Sequence, residues 1–373
     1  MRIYFHPPAG KLIIRITFNC LVNLVLLSIL IMVKVDFKDL DLEETRAWVE
    51  KIAVETYRAE QIRRWVFSHQ AESFEGMTNL SKELRNHLNS FSTISQLKLL
   101  KTEISLDGTR KFLFGLEDGN RIESVLIPER GHYTACISTQ VGCAMGCKFC
   151  LTARQGLARN LKSSEIINQI MQIRQSMDQP GKLSNIVLMG MGEPLANYEA
   201  VAKAIKNIIY PDALDFSRRR VTLSTCGLVP EIERLGRELP INLAVSLNAA
   251  DDKTRNLLMP INRKYPLGRL LDALMHYPMT KGRRITFEYI LIKDINDRLG
   301  DATNLAKLLK NIRAKINLIP FNNYDGSPFE APDEERIRAF QDELIRKNYT
   351  VMIRKSKGTD ISAACGQLTS RCF

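Results

Sequence analysis

The chain has 373 residues and a formal net charge of +12 at pH 7, a length that allows one large or two ordinary domains with a full-sized core. Apolar residues make up 45% and charged residues 25%, which excludes a disordered chain, collagen and a polytopic membrane protein. Eight cysteines are too few for a disulfide scaffold. The positive charge favours a polyanionic partner such as nucleic acid, although a solvated cationic surface gives the same composition.

Residues 16–33 form an uncharged stretch that does not fit the rest of the chain. It is long enough for a marginal transmembrane helix, although it contains Asn19 and Asn23. A secretory signal is a second interpretation, but no small-residue cleavage site follows. A third is an over-extended reading frame with its start near Met32. We expect a cytoplasmic protein, with a membrane anchor in residues 1–33 as the alternative.

Residues 34–110 predict a small helical accessory domain with a basic surface, which either contacts RNA or is simply solvated. Asp41 is placed to cap a helix, whose inward face then carries Leu42, Trp48, Val49 and Ile52. In the next helical segment the spacing of the apolar residues predicts that Arg63 and Arg64 face solvent.

Residues 111–130 predict a β-hairpin that links this domain to the next. Its strands are KFLFGLEDG and RIESVLIP, and Asp118-Gly119 is a turn signal between them. Glu123 lies in the second strand and, taken alone, resembles an exposed strand residue.

From about residue 131 to the C-terminus, short apolar runs alternate with amphipathic segments. The strand candidates are TACIST, NIVLMG, RVTLST, NLAVSL, RITFEYILI and KINLIP. Strands that alternate with helices predict βαβ units and a parallel sheet. We therefore expect an α/β fold, a full or partial (β/α) barrel, with its active site where polar and glycine-rich residues follow the strands.

Three cysteines, Cys143, Cys147 and Cys150, are spaced C-x3-C-x2-C after the first of these strands. Their thiolates can ligate three irons of a [4Fe–4S] cluster, which usually has four cysteine ligands. No fourth cysteine is near in sequence, so one iron stays open to a substrate. The alternatives are chance and a zinc site completed by His132, although zinc ligands usually come in two separated pairs.

The triplet resembles the signature of the radical S-adenosylmethionine (SAM) superfamily, whose members use a partial (β/α) barrel. The resemblance implies that SAM chelates the open iron. GMGEP, residues 190–194, resembles the superfamily's contact to the SAM amino group. Physically, Gly190 and Gly192 let the backbone approach a ligand, and Glu193 can pair with an ammonium. Leu195 replaces the third glycine of a dinucleotide fingerprint, which disfavours a Rossmann methyltransferase.

Two further cysteines, Cys136 and Cys365, have informative surroundings, although a lone cysteine is more often a small buried hydrophobe. The motifs ACISTQVGCAMGCKFC, GMGEPLANY, STCGLVP, AVSLNA, LIPFN and DISAACGQL occur in the order found in dual-specificity RNA adenine-C2 methyltransferases. From about residue 40 to 370 the chain resembles this family. Its members modify an adenosine in large-subunit (23S) ribosomal RNA and one in the transfer RNA anticodon loop.

The resemblance implies a covalent mechanism that uses two SAM molecules per turnover. Cys365 takes a methyl group from the first, and a radical from the second removes a hydrogen from that S-methyl group. The resulting carbon radical adds to adenine C2, which is too electron-poor to attack a methyl sulfonium. Cys136 then forms a disulfide with Cys365 and releases the product, and Glu123 accepts the C2 proton.

The resemblance also implies a set of SAM contacts, each at or just past a strand end: Gly192, Glu193, Ser224, Ser246, Leu247, Asn248 and Asn322. The chain departs from its relatives at two nearby positions. Asn248 stands where His is common, and we expect it to be tolerated because it still donates and accepts. Cys226 stands where Ser or Thr is usual, and we interpret it as a small buried residue. Cys20 and Cys372 lack such surroundings.

Basic clusters at residues 217–220, 281–284 and 354–357 are predicted phosphate contacts, which bind without reading sequence. The expected partners are ribosomal RNA, transfer RNA and a reducing electron donor such as flavodoxin, and we expect a monomer. Three rivals stay open. An adenine-C8 methyltransferase of the same chemistry is disfavoured by Pro194, and a non-catalytic iron–sulfur RNA-binding protein needs no thiol pair. The net charge makes a small-molecule radical-SAM enzyme the least favoured.

Overall fold

The structure, a computed structural model, describes residues 34–280, 282–324 and 326–369. The apolar segment 16–33, Cys20 and Cys372 lie outside these residues, and so do the expectations that concern them. In the described ranges, no helix combines the length and the apolar character needed to cross a bilayer.

A ten-stranded sheet forms the centre of the fold, in the order β14-β13-β12-β11-β10-β9-β6-β5-β4-β3. Its strands are β3 (Lys98–Ile104), β4 (Arg110–Gly115), β5 (Arg121–Glu129), β6 (His132–Cys136), β9 (Leu183–Leu188), β10 (Val221–Thr225), β11 (Asn242–Ser246), β12 (Ile285–Leu291), β13 (Ala314–Pro320) and β14 (Val351–Ile353). Four short strands pair outside it: β1 (Val35–Asp36) with β2 (Ser92–Thr93), and β7 (Gln140–Gly142) with β8 (Leu157–Asn160).

Seven neighbouring strands, from β14 to β6, run parallel, as expected when helices connect successive strands. The six strands predicted from the apolar runs are all present, and β14 is an additional one. Since parallel strands share one direction, their carboxyl ends meet at one edge of the sheet and their amino ends at the other. The register places Ser246 beside Glu288 and Glu288 beside Asn317, which forms a polar row near the carboxyl edge.

The described residues form eleven α-helices. They are α1 (Leu42–Lys51), α2 (Arg58–Arg63), α3 (Lys82–Phe91), α4 (Leu151–Arg154), α5 (Ser163–Gln175), α6 (Tyr198–Ile209), α7 (Val229–Glu238), α8 (Asp252–Leu258), α9 (Leu267–Met275), α10 (Leu299–Leu308) and α11 (Glu334–Arg346). Their apolar faces pack with the sheet in one continuous core. The predicted cap of α1 is confirmed, because Asp41 Oδ1 accepts from Glu44 N and Glu44 Oε2 from Asp41 N.

Three antiparallel strands, β3 to β5, extend the parallel sheet beside β6. The β4–β5 hairpin and its turn at Gly119, with φ of +84°, confirm the predicted hairpin. The helices of the predicted accessory domain end at Phe91, whereas β3 lies in the same 34–110 range and was not predicted. The sequence of β3, KLLKTEI, does not alternate apolar and polar residues, and the strand is held by its antiparallel pairing with β4.

The N-terminal helices pack against α5 and α6. Lys38 Nζ donates to Asn168 Oδ1 over 2.6 Å, and Asp41 pairs with Lys206 over 2.8 Å. The prediction that Arg63 faces solvent is wrong, because this side chain is fully buried and donates to Asn207 Oδ1 over 2.6 Å. Burial lowers the pKa of Arg63 to about 10. Arg64 is exposed as predicted and pairs with Asp212.

Candidate active site

A cavity of about 200 Å³ opens at the carboxyl edge of the parallel strands. This edge is where (β/α) barrels build active sites. Ten of the predicted site residues line the cavity, in three groups: the cluster cysteines Cys143, Cys147 and Cys150; the SAM contacts Gly192, Glu193, Ser224, Ser246 and Asn248; and the isolated cysteines Cys136 and Cys365. Cys365 lies more than 200 positions after Cys136 and the cysteine triplet, so the fold alone brings them together.

The three cysteines of the triplet lie on the loop between β7 and α4. Gly142, with φ of +77°, fixes the start of this loop, since a Cβ there would lie 1.9 Å from the Gly156 carbonyl oxygen. Burial raises the pKa of the Cys143 thiol to about 12 and that of Cys147 well above its ordinary value. Buried thiols of this kind hold their protons until a metal displaces them.

Glu193 is a buried carboxylate at the first turn after β9. It accepts hydrogen bonds from Cys226 N over 2.8 Å and from Leu195 N over 3.1 Å. Burial nevertheless raises its pKa, because the desolvation of the charged form is the largest influence on it. The interpretation of Cys226 as a small buried residue is confirmed, and its backbone orients the carboxylate.

The two glycines of GMGEP line the cavity, where their predicted approach to a ligand stays a prediction, and they are also needed for close packing. A Cβ on Gly190 would lie 2.7 Å from Ser138 Oγ, and one on Gly192 would lie 2.5 Å from Gln140 Cβ. Both glycines therefore let the loop after β9 pack closely, Gly190 against the segment between β6 and β7 and Gly192 against the first residue of β7. Gly192, with φ of +100°, also lines the cavity.

Ser224, Ser246 and Asn248 follow one another along the carboxyl ends of β10 and β11. Asn248 has a φ of +58°, a left-handed conformation that asparagine tolerates well. Its Oδ1 accepts from Ile290 N over 2.8 Å, so its side chain is held by the neighbouring strand. The backbone of β12 therefore fixes the position of the Asn248 side chain, and its tolerance as a SAM contact stays a prediction.

Cys365 lies on the C-terminal loop that crosses the mouth of the cavity. Gly366 O accepts from Leu151 N over 2.8 Å, and Leu368 O accepts from Thr152 Oγ1 over 2.7 Å. These bonds attach the loop to α4, directly after the cysteine triplet. The residue is exposed at the cavity mouth, yet the protein around its sulfur raises the thiol pKa to about 11 through desolvation.

Cys136 ends β6 and is buried, and its register partner on β5 is Val125. Burial is the main cause that raises the pKa of the Cys136 thiol, and the charge of Cys365 adds to it. Glu123 lies two residues before Val125, so it shares the face of β5 that lines the cavity. It is only 5% exposed, which corrects the impression of an exposed strand residue.

The carboxylate of Glu123 has two partners. Its Oε2 accepts from the Thr369 backbone over 2.8 Å, and its Oε1 pairs with Lys111 Nζ over 3.2 Å. Burial raises the pKa of Glu123 more than these two partners lower it. The group is thus a carboxylate with raised basicity, held by the same C-terminal segment that carries Cys365.

Three predicted site residues do not line the cavity: Glu123, Leu247 and Asn322. Leu247 is fully buried in the core, and its carbonyl oxygen accepts from Arg255 Nε over 3.1 Å. Asn322 Nδ2 donates to the Cys365 carbonyl oxygen over 3.0 Å, so it supports the C-terminal loop. His132, the ligand of the zinc alternative, lies at the opposite end of β6 from the cysteine loop, about 13 Å along the strand.

Two residues of the site were not predicted. Glu288 lines the cavity, accepts from Asn317 Nδ2 over 2.9 Å, and its charge contributes to the raised pKa of Cys365. Arg255 is fully buried and donates to the carbonyl oxygens of Leu247 and Cys226, which joins the ends of β11 and β10. The helical spacing of Arg255 with the buried Leu258 was the available signal for its inward orientation.

The donor set fits an iron–sulfur cluster with one open iron. Three thiols, the Glu193 carboxylate and the serines of β10 and β11 surround one cavity. Within the ranges that the structure describes, no three His, Cys, Asp or Glu side chains converge as ligands of a single metal ion. A [4Fe–4S] cluster does not need that convergence, because each thiolate binds a different iron.

The sequence and the fold of this chain are similar to those of known proteins. Residues 137–306 match the family model of the radical SAM superfamily, and residues 35–94 match that of the ribosomal RNA large subunit methyltransferase N-terminal domain. A crystal structure of a radical SAM methyltransferase from Sphaerobacter thermophilus is similar, with a TM-score of 0.85 and 41% identity over 90% of this chain and all of that one. The fold and the thiol site are therefore those of a radical SAM protein.

Two curated relatives narrow the assignment. The dual-specificity RNA methyltransferase RlmN of Desulfosudis oleivorans is 53% identical over 87% of this chain and 87% of its own length. That of Syntrophus aciditrophicus is 51% identical over 91% of this chain and 98% of its own. The chain belongs to the family of dual-specificity RNA methyltransferases. Its cofactors are accordingly a [4Fe–4S] cluster and SAM.

Proposed function

We propose that this protein methylates C2 of an adenosine in large-subunit (23S) ribosomal RNA and of an adenosine in the anticodon loop of transfer RNA. The single observation that carries the proposal is the common cavity of Cys136, Cys365 and the cysteine triplet. A protein that only binds RNA through an iron–sulfur centre has no use for two further thiols at that position.

The cysteine triplet would hold the cluster, and the amino group of SAM would lie against Glu193. Ser224, Ser246 and Asn248 would contact the rest of SAM, together with the backbone of Gly192 and Leu247. When bound, these cofactors supply an electrophilic methyl group and, after one-electron reduction, a radical that removes hydrogen. A reducing electron donor such as flavodoxin supplies the electron.

Cys365 is the proposed methyl carrier. Its thiolate would accept the methyl group that SAM supplies, and the demethylated cofactor would leave as a thioether with the electron pair of the broken bond. Removal of one hydrogen atom from the S-methyl group leaves a carbon radical on the Cys365 side chain. This radical adds to adenine C2, which reacts with a radical although it is a poor nucleophile.

Glu123 and Cys136 complete the reaction in this proposal. The carboxylate of Glu123 accepts the C2 proton, a role that suits its raised pKa and its position on the cavity face of β5. One electron of the radical adduct would return to the oxidised cluster. The Cys136 thiolate then attacks Cys365 Sγ and forms a disulfide, and the bond between that sulfur and the transferred carbon breaks. The transferred carbon keeps the electron pair of that bond and takes up a proton, which completes the methyl group. An external thiol or similar reductant then returns the disulfide to two thiols.

The proposal extends to the organisation of the chain. Residues 34–110 would act as an RNA-binding accessory domain and 111–130 as the hairpin that carries Glu123. Residues 131–373 would form the catalytic partial barrel. We also propose a cytoplasmic monomer whose basic residues 354–357 hold phosphates beside the Cys365 loop.

The test is mass spectrometry of ribosomal and transfer RNA from a host that lacks this modification, with and without the gene. We expect 2-methyladenosine in both RNAs only when the gene is present, and none with a Cys365→Ser variant. If 8-methyladenosine appeared instead, the C2 assignment would be wrong. If neither base appeared while the purified protein held its cluster, the RNA function would be wrong.

A further inference from the structure

The amino edge of the parallel strands carries an open groove of about 740 Å³, at the opposite end of the sheet from the thiol cavity. We call it the basic groove, because six cations line it: Arg283, Arg284, Lys307, Lys310, Arg313 and Lys347. No carboxylate is among its lining residues in the described structure. The seven-residue length of β12 puts roughly 20 Å between the two edges.

The charges of the basic groove are largely uncompensated. Arg283 donates to the Pro240 carbonyl oxygen and Arg284 to Thr350 Oγ1, both neutral partners. Within residues 34–369, as far as they are described, ion pairs involve neither these arginines nor Lys307, Lys310 and Arg313. Lys347 is the exception, at 3.7 Å from Glu343. Five close cations without an acidic partner repel one another, and an anionic ligand relieves that repulsion.

The groove continues along the same edge towards β10. Asn242 Nδ2, at the start of β11, donates to the Arg219 carbonyl oxygen over 2.8 Å. A second depression, lined by Asn242, Arg283 and Arg284, connects this point with the groove. Arg218, Arg219 and Arg220 are all exposed just before β10. The cationic surface therefore spans the five neighbouring strands from β10 to β14, a width of about 19 Å at the usual strand spacing.

This arrangement fits a polyanion better than one small anion. A site for a single phosphate encloses it with buried, hydrogen-bonded donors, whereas these cations are mostly exposed and spread along an edge. Exposed lysines and arginines in a row gain binding free energy by releasing the counterions of a phosphate backbone. They recognise the backbone and not the bases.

We infer that the basic groove, with Arg218 to Arg220, binds the sugar–phosphate backbone of an RNA segment remote from the target adenosine. The inference rests on the proposed function, since it takes the substrate to be RNA. A contact at the opposite edge of the sheet, roughly 20 Å from the edge that carries the cavity, is useful only to an RNA long enough to reach around the barrel. Short stem-loops would thus be bound by the cavity side alone.

The experiment compares two variants with the same change in net charge. Lys307→Gln/Lys310→Gln removes two groove cations, and Lys203→Gln/Arg338→Gln removes two cations that lie in surface ion pairs on α6 and α11. Dissociation constants for full-length transfer RNA and for its anticodon stem-loop are measured on the cluster-loaded protein over a range of salt concentrations.

For full-length transfer RNA we expect the groove variant to bind roughly ten-fold more weakly at low salt, with a salt slope reduced by about two. The control variant should bind like wild type, as should the charge-retaining variant Lys307→Arg/Lys310→Arg. The groove variant and the control variant should bind the stem-loop with wild-type affinity and methylate it at the wild-type rate. Methylation of the stem-loop by wild type tests the proposed function separately.

Unchanged affinity and salt slope for full-length RNA in the groove variant would overturn the inference. The inference would also be overturned if the two proteins bound RNA equally while inorganic phosphate raised the melting temperature of wild type but not of the groove variant. The groove would then be a site for a small anion. A loss shared by the groove variant and the control would also overturn the inference, because net charge alone would then explain the binding.

Discussion

The two edges of the parallel sheet differ in how they use charge. At the carboxyl edge, thiols and carboxylates are buried around a cavity of about 200 Å³, and burial raises their pKa values. At the amino edge, cations are exposed around an open groove of about 740 Å³. A buried cavity shields bound cofactors and reactive groups from water, whereas solvated cations suit binding to phosphates. One sheet can thus separate groups suited to reaction from groups suited to binding by about the length of a strand.

The largest expected effect concerns the carboxyl edge. Cys147→Ala should abolish both the visible absorbance of the cluster and all methylation, because the open-iron arrangement leaves no spare ligand. Cys226→Ser is the matched control, a buried cysteine in contact with the same apolar cluster. It should retain the cluster after reconstitution. A cluster of unchanged absorbance in Cys147→Ala would contradict the ligand assignment.

Glu123→Gln tests the proposed base. Turnover should fall by roughly 10²–10⁴-fold, the usual contribution of a general base, while the cluster and the methylation of Cys365 persist. Glu117→Gln, at the exposed turn of the same hairpin, is the control and should react at the wild-type rate. Product formation and the mass of the Cys365 peptide are measured together. A normal rate in Glu123→Gln would remove this residue from the mechanism.

Gly192→Ala tests the close packing that shapes the carboxyl edge. The added Cβ meets Gln140 in a backbone conformation that L-residues rarely adopt, so we expect a loss of roughly 1–3 kcal/mol in unfolding free energy. Gly268→Ala has open space around it, at the start of α9, and should be neutral or slightly stabilising. Thermal or urea unfolding checks both. Equal stability of the two variants would show that this contact is not needed.

The smallest expected effect is a shift in pH dependence. Lys111 lowers the pKa of Glu123, so Lys111→Met should raise it further. A base works only when ionised, and activity is lost as pH falls through its pKa. The acidic limb of the pH–rate profile should therefore move to higher pH. Lys101→Met removes the other lysine that pairs with Glu103 and not with Glu123, so its acidic limb should stay in place. Identical profiles for the two variants would argue against the Lys111–Glu123 interaction.

Much of the carboxyl edge was predictable because its signals are local. Apolar runs bounded by turn residues identified β6, β9 and the four parallel strands that follow. The cysteine triplet and GMGEP lie within short segments directly after strands, where (β/α) barrels have their active sites. The segments that carry Cys136 and Cys365 meet in the same cavity, whereas the roles of these two cysteines remain predictions.

The missed features depend on contacts between distant segments. Arg63 looks like a surface residue until Asn207, 144 positions later, supplies its buried partner. Glu288 lies in an apolar strand, and only its register with Asn317 reveals a polar row. The basic groove collects cations from residue 283 to residue 347, and only Arg283 and Arg284 belonged to a predicted basic cluster. Periodicity cannot show such sites, because it describes one element at a time.

The most direct test of the account uses Cys136→Ala. Without the resolving thiol, RNA should remain covalently attached through the carbon on Cys365, and digestion followed by mass spectrometry should find an adenosine linked by a one-carbon bridge to the Cys365 peptide. The double variant Cys136→Ala/Cys365→Ser should give no adduct. Free RNA alone from Cys136→Ala, or an adduct on another residue, would contradict the assignment of the two cysteines and with it the proposed mechanism.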